Sequence, residues 1–368
     1  MISIDGAPVS IIGGSVIGLA CAFRLAHAGA DVTLYAPSAS PRDGAGWVAG
    51  GMLGGLTEAW PGEETMLHLG VASLDSWEQL LADLAVGGAD DIVTGTGTIL
   101  TGADDADATD IERTFGFVES HYPGRLSRIS RREMRQLEPA LRRGLRAGIL
   151  CPEEHAVDNR VLLHRLTEAC DRLGVRRVEQ MVTDLTDIPG ERVVVAAGAG
   201  ARELLGLDIR EVKGEVVRLR RQPGSQPAPA RTIRARVHGR PLYLVPRAWG
   251  VAVGATEYEH GHDTAPTAGG IRQLLDDAAL VFPGIDDYVF DEVIAGLRPY
   301  SPDNVPVIGS LGDGRLIAAC GHGRNGVLLS AITADAVLAE VRGTPLDITR
   351  LTRPDRPTLP GVVHEPVH

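Results

Sequence analysis

The apolar positions of the chain change period several times, and each change marks an element. Residues 9–12 form a short, mostly apolar run that reads as a buried strand, and residues 31–35 form a second. Between them a glycine-rich turn over 13–18 leads into residues 19–28, a helical stretch stopped by Gly29. Strand, glycine turn, helix and strand within about thirty residues is the opening of a dinucleotide-binding βαβ unit. The same texture returns near the end: a strand over 316–320, a glycine turn over 321–326 and a helix over 327–341.

The middle of the chain reads differently. Leu67, Val71, Leu74, Leu81 and Leu84 stand at helical spacing and predict a helix over 64–84. A strand is expected over 91–100 and a polar helix over 103–115. Ser130 and Glu133 have capping-box spacing, and Asp158 is placed to cap a helix over 159–173. Strands follow near 175–182 and 193–197. From Glu211 onward, short strands over 212–220, 232–237, 242–246 and 251–256 suggest an antiparallel sheet. Residues 222–231 are proline-rich and read as an exposed connection. A helix over 267–280 and a strand over 289–297 complete this part. Residues beyond about Pro354 read as a loose tail.

Composition narrows the classes. The 368 residues are 44% hydrophobic, which argues against disorder. The formal net charge of −12, without basic runs, argues against nucleic acid or an anionic membrane as the main partner. No apolar run is long enough to span a membrane, and the N-terminal apolar stretch lacks the basic region of a signal peptide. Cys21, Cys151, Cys170 and Cys320 are isolated, so a reduced, cytoplasmic, metal-free protein is expected. Lys213 is the single lysine, the sole side chain available for Schiff-base chemistry, and it lies at a strand start without carbonyl-cofactor context.

The glycine turn carries the first chemical reading. Backbone N–H groups at the helix start, aided by the helix dipole, can hold a pyrophosphate. Gly13 permits the tight turn and Gly18 permits close packing of helix on strand, with Gly14, Ser15, Val16 and Ile17 between them. Ser15 replaces the middle glycine of the usual motif, and its hydroxyl can itself donate to phosphate. The carboxylate that ordinarily binds ribose is absent, because Ala36 stands at the end of the second strand. Ser38 and Arg42 are the nearest substitutes.

Three further segments, GWVAGGML (46–53), AGLRP (295–299) and GHGRNGVLL (321–329), follow that turn in order. Together they resemble the FAD-dependent D-amino acid oxidase superfamily, and within it the glycine oxidases of thiamine biosynthesis. The similarity runs from Val9 to about Val341. It implies an α/β fold: a Rossmann-like FAD-binding domain interleaved with a substrate domain built on a mainly antiparallel sheet with helices. The first is expected over 1–60, 155–212 and 300–345, the second over 61–154 and 213–299, with a tail over 346–368. The resemblance also implies non-covalent FAD, since no cysteine follows Arg298 where covalent relatives attach their flavin. Gly50, Gly51 and Met52 match the loop along the flavin ring. Val182 matches the adenine contact, and Ala197 and Gly198 a further cofactor-lining turn. Gly323, Arg324, Asn325, Gly326, Val327 and Leu328 match the segment facing the flavin's pyrimidine edge, where N–H groups at a helix start would stabilise negative charge.

For the substrate, the resemblance assigns Arg298 to the amino-acid carboxylate, which a guanidinium fits bidentately. It brings Tyr243 to the same carboxylate, Met52 alongside, and Arg324 to closing the site. Pro241 and Glu257 depart from the usual pattern; Glu257 would attract an ammonium group or point to solvent, and solvent is the expectation. His322 and His155 are expected to be structural. The implied activity is oxidation of glycine, with sarcosine and small D-amino acids as further substrates. The products are an imine and, with molecular oxygen as acceptor, hydrogen peroxide. A thiazole synthase partner and a homo-oligomer are implied by the resemblance alone. Rival readings are a sarcosine- or D-proline-type oxidase, a non-catalytic nucleotide-binding scaffold and, less favoured, a nicotinamide dehydrogenase.

Overall fold

The computed structural model describes residues 4–85, 91–259 and 261–358. Two sheets organise them. The first has six strands, in the order Val307–Leu311, Leu316–Cys320, Arg192–Val195, Pro8–Ile12, Asp31–Ala36 and Arg176–Glu179. All its pairings are parallel except the first, which is antiparallel. The second sheet runs Val289–Tyr300, Arg210–Arg220, Gly250–Gly254, Arg240–Arg247, Thr232–Val237, Val93–Gly102, Arg146–Val157 and Met52–Leu53, with Ser127–Arg128 on the flank of Arg146–Val157. Only the pairing of Thr232–Val237 with Val93–Gly102 is parallel. The expected α/β architecture of two interleaved sheets is what the chain adopts.

The first βαβ unit forms because its strands are buried on both faces and its helix is apolar almost all round. The helix runs Val16–His27, three residues earlier at its start than the apolar pattern indicates, because Ser15 takes the N-cap position. At the other end of the chain the difference is opposite. Gly323–Asn325 is a single 3₁₀ turn, and the helix begins only at Ser330. Val327–Leu329 are apolar enough to look helical, but the Leu328 carbonyl is taken by Trp77 Nε1 (2.7 Å) and Ser73 Oγ (2.5 Å) instead of a helical partner.

Three elements differ from the sequence reading in position or role. The twelve-residue strand Arg146–Val157 was not indicated by its polar stretch Glu153–His155. Its end and Met52–Leu53 join the second sheet, although both stretches fall in the segments expected for the FAD domain. The helix Glu64–Ala85, expected in the substrate domain, serves both. Leu69, Leu74, Trp77, Leu80 and Leu84 enter the first core, while Leu67 and Val71 pack with Ile111 and Phe115 of the helix Asp105–His121. Buried Arg24 ties this arrangement together, reaching Asp83 on one helix and Asp335 on another (2.7 Å).

The tail is a correction as far as Thr358. Arg356 is buried, pairs bidentately with Asp303 (2.8 Å to each oxygen) and donates to the carbonyls of Thr352 (2.9 Å) and Val305 (2.6 Å). Against the upward push of burial, Arg356 and the Thr358 hydroxyl hold the Asp303 carboxyl down at about 2. The remainder of the expected tail, 359–368, lies outside the described residues. Lys213 is fully buried, with Asp263 and the Ala265 carbonyl on its ammonium, a structural role as expected. All four cysteines are buried and unpaired.

Because Arg356→Met strands a half-buried carboxylate, it is expected to cost about 3 kcal/mol in urea unfolding. Asp303→Asn in the Arg356→Met background should recover part of that loss. Stability unchanged in the single variant would mean the tail is not part of the folded unit.

Candidate active site

A cavity of about 820 Å³ lies where the two sheets meet. Its walls include Gly13–Ile17, Ala36–Ser38, Gly50–Met52, Val182, Ala197–Gly198 and Gly323–Val327, and on the second sheet Tyr243 and Arg298. The ends of the first sheet's strands thus open onto it at the glycine turn, where the chain reverses between sheet neighbours. Gly13 N–H donates to the Tyr35 carbonyl (2.8 Å), and the Ala196 N–H donates to the Ile12 carbonyl (2.8 Å), so the turn is drawn tight between two strand ends. Gly13 has φ +119°, and a β-carbon there would stand 2.3 Å from the Ala196 carbonyl oxygen. A β-carbon on Gly18 would stand 1.7 Å from the Gly13 carbonyl oxygen, so Gly18 brings helix and turn into contact without itself lining the cavity.

These features fit a long, anionic, planar-ended cofactor. The Ser15 hydroxyl makes no capping bond to its own helix and lies against Gly44, on the cavity wall. Ser38 and Arg42, the candidates for the ribose, both line the wall beside Ala36, as does Gln180, whose N–H donates to the Ala36 carbonyl (2.7 Å). Leu328 is the other expected cofactor residue that does not reach the cavity; it is buried in the first core. The remaining expected cofactor residues all line the same space.

The substrate end is built by the antiparallel sheet. Tyr243 pairs with Gly254 across neighbouring strands, and its ring is covered by two glycines. A β-carbon on Gly50 would stand 2.7 Å from the ring, and one on Gly254 would stand 2.2 Å from the hydroxyl. Arg298 lies over Gly214 in the same way and donates through Nη1 to the Thr256 carbonyl (3.1 Å). Among the described residues no carboxylate pairs with Arg298. Arg324, by contrast, is committed to Glu58 (3.0 Å) and Glu63 (3.6 Å). Burial pushes the Tyr243 hydroxyl above its usual range, and the nearby Arg298 guanidinium pulls in the opposite direction. The Tyr300 hydroxyl, pushed up to about 12 by burial and by Glu257, donates to that carboxylate (3.1 Å). Glu257 is exposed, as expected, yet it is also on the cavity wall with Tyr300 and Pro241.

Sequence reasoning did not single out Glu58, Arg234, Thr256 or Tyr300, all of which line the cavity. Tyr300 follows Arg298 by two positions on one strand, and period-two alternation was the available signal. His322 lies on the cavity wall but is spent structurally, its Nε2 paired with Thr333 Oγ1 (2.9 Å).

The family model for FAD dependent oxidoreductases matches residues 8–340, and the chain belongs to that family. FAD is accordingly its cofactor. The chain is 29% identical to a glycine oxidase of Geobacillus kaustophilus, over 92% of this chain and 94% of that protein. It is also 29% identical to a "Bifunctional protein ThiO/ThiG" of a Nostoc species, over 92% of this chain but 53% of the relative. The chain thus spans about half the length of the bifunctional relatives. Among solved structures, the glycine oxidase from Geobacillus kaustophilus superposes with a TM-score of 0.85 at 27% identity, covering 95% of this chain and 98% of the other. No helix among the described residues is long and apolar enough to cross a membrane.

Burial pushes the His322 imidazole down to about 3. Unfolded, it would take up a proton near pH 6.5, so its contribution is fully present above that pH and is lost as pH falls toward the folded value. At pH 5 this group should cost about 2 kcal/mol of stability relative to pH 7.5. His322→Gln, which can still bond Thr333, should remove that part of the acid sensitivity in unfolding curves measured at the two pH values. Equal pH dependence in both proteins would count against the assignment.

Proposed function

We propose that this protein oxidises glycine, and with it sarcosine and small D-amino acids, to the corresponding imine. Molecular oxygen would be the final acceptor, and hydrogen peroxide the second product. The observation that carries this reading is Arg298: a cavity-lining guanidinium beside a half-buried tyrosine, with no carboxylate partner among the described residues. Two other cavity arginines, Arg234 and Arg324, both reach Glu58, and Arg42 lies over the Trp47 ring, which leaves Arg298 as the guanidinium beside Tyr243 positioned for an anionic ligand.

Bound FAD supplies the two-electron acceptor. The chain's own residues do the rest. Arg298 presents two donors to the substrate carboxylate while its Nη1 contact with the Thr256 carbonyl fixes the plane of the guanidinium. Tyr243 stays protonated, so its hydroxyl adds a third donor. Holding the carboxylate at two residues restricts where the α-carbon can lie, which favours a reactive geometry. Gly50, Gly51 and Met52 would lie along the cofactor ring, and the turn Gly13–Ile17 would hold its pyrophosphate. His322 Nε2 is already engaged by Thr333, so that nitrogen is not available to take a proton from the amine.

The relatives named glycine oxidase favour the substrate, and the bifunctional ThiO/ThiG relatives favour delivery of the imine to a thiazole synthase partner. A cytoplasmic homo-oligomer fits the same reading. The rival non-catalytic scaffold is disfavoured by the unpaired Arg298, which such a protein would not need.

Anaerobic addition of glycine to the FAD-loaded protein should bleach its visible absorbance, and no bleaching with any small amino acid would overturn the reading. Arg298→Met should lower kcat/KM for glycine by about a thousandfold, as expected for loss of a bidentate charged contact, with the flavin spectrum retained. Tyr243→Phe should lose about tenfold. Loss of bound flavin in Arg298→Met would instead mark that residue as structural.

A further inference from the structure

Behind the loop 46–51 lies a layer of buried side chains that do not line the cavity. Asn159, 1% exposed, donates through Nδ2 to the carbonyls of Gly46 (2.7 Å) and Trp47 (2.9 Å). Its Oδ1 accepts from Nη2 of both Arg218 and Arg247 (3.2 Å each). Arg247 Nη2 also donates to the Gly50 carbonyl (2.7 Å), and Arg218 Nη2 lies 3.3 Å from the Trp47 carbonyl. Arg160 adds a contact to the same carbonyl (3.3 Å) and stacks on the Trp47 ring, 4.4 Å from its centroid. The carbonyls of Gly46, Trp47 and Gly50 are therefore turned into this layer.

The layer is also electrostatically unbalanced. Three guanidiniums meet two carboxylates: Asp158 lies 3.6 Å from Arg247 Nε, and Glu292 touches Arg160 and lies 3.6 Å from Arg218 Nε. Among the described residues, Arg218 Nε and Nη1 and Arg247 Nε have no hydrogen-bond partner. Because Arg160 and Arg218 share Glu292, the layer keeps one positive charge in excess. In a site shielded from water such a charge acts well beyond contact distance.

We propose that the Arg218–Arg247–Asn159 layer is a positioning device for the cofactor ring: it orients the peptide groups of 46–51 and places a surplus positive charge behind them. It thereby tightens FAD binding and raises the midpoint potential of the bound flavin. The proposal rests on the ring lying along Gly50–Met52, as argued under the proposed function. Accepting electrons makes the ring more negative, so a fixed positive potential behind the loop favours that change. None of the three side chains touches substrate.

The test uses the FAD-loaded full chain and three variants. Asn159→Asp is nearly isosteric, removes both Nδ2 donors and cancels the surplus charge. Arg247→Met removes a charge, and Arg247→Lys keeps it. For the first two, the ratio of affinities for the two redox forms of the flavin should shift at least tenfold, about 30 mV in midpoint potential for a two-electron couple. FAD dissociation constants should rise tenfold or more. Arg247→Lys should weaken FAD binding but keep most of the potential. If Asn159→Asp folds and loads FAD with unaltered potential while only its thermal stability falls, the layer is a brace and the proposal is overturned. If the unmodified chain fails to take up FAD at all, the placement of the cofactor fails, and the proposal with it.

Discussion

The structure depends on finding hydrogen-bond partners for one irregular segment, 44–58, at the joint between its two sheets. Most of it is buried, and a buried backbone outside regular structure has peptide groups that cost free energy if left unpaired. Here they are supplied by side chains from distant parts of the chain. Glu154, wholly buried, accepts from the N–H groups of Leu56 (2.8 Å) and Thr57 (2.7 Å). Asn159 and Arg247 take the carbonyls of Gly46, Trp47 and Gly50. The carbonyl of Gly51 accepts from Val157 N–H (2.8 Å). Those partners come from the strand Arg146–Val157, the helix after it and the strand Arg240–Arg247. A loop proposed to present backbone to a cofactor ring on one side is thus held from the other.

That arrangement explains why the site is rich in arginine and glycine together. A large side chain that enters a sheet-flanked space needs room, and two of them lie against glycines: Arg298 over Gly214, and Tyr243 between Gly50 and Gly254. Arginine also remains charged where burial would neutralise a lysine, and its five donors can serve several carbonyls at once. Arg218 illustrates the limit, since burial draws it down to about 10, still protonated at neutral pH. The difference between arginines that are paired with acids and those that are not then becomes informative. Arg324 and Arg234 share Glu58, whereas Arg298 faces the cavity with only a backbone carbonyl.

Much of the fold was legible because its strands and helices carry their own period. The strands at residues 232–237 and 316–320 have the bounds that the apolar pattern indicates, and the capping residues Ser130 and Asp158 accept the N–H groups expected of them. What was not legible has a common physical cause: polar residues buried to serve other segments. The strand Arg146–Val157 carries Glu153, Glu154 and His155 in sequence and so lacks a strand pattern, yet Glu154 is inside because the loop needs an acceptor. Arg356 looked like part of a solvated tail because nothing local reveals Asp303 as its partner. Val327–Leu329 looked helical because an apolar run does not disclose that the Leu328 carbonyl is claimed by Trp77. In the site, short motifs located the cavity wall, whereas Tyr300 and Arg234 are brought in by sheet geometry and Glu58 by the turn that follows Met52–Leu53.

The two halves of the cavity are built on different principles, and this bears on how its selectivity is set. Groups expected to hold the cofactor are mostly backbone, carried on turns whose glycines leave no room for side chains. Groups facing the substrate are side chains on a continuous antiparallel sheet, where each occupies a register position fixed by its neighbours. Arg298 and Tyr300 stand on one strand, and Tyr243 on another, with two strands between them. Changes in substrate preference are therefore confined to what lies at the edge of that rigid frame. Glu257 is such a position: it follows the last residues of a strand, is exposed, and is tied to the frame through the Tyr300 hydroxyl. Under the proposed reading, a carboxylate there would add negative potential to the wall of the site, while Arg298 would hold the substrate carboxylate. The frame fixes what every substrate must share, and the rim decides what more it can carry.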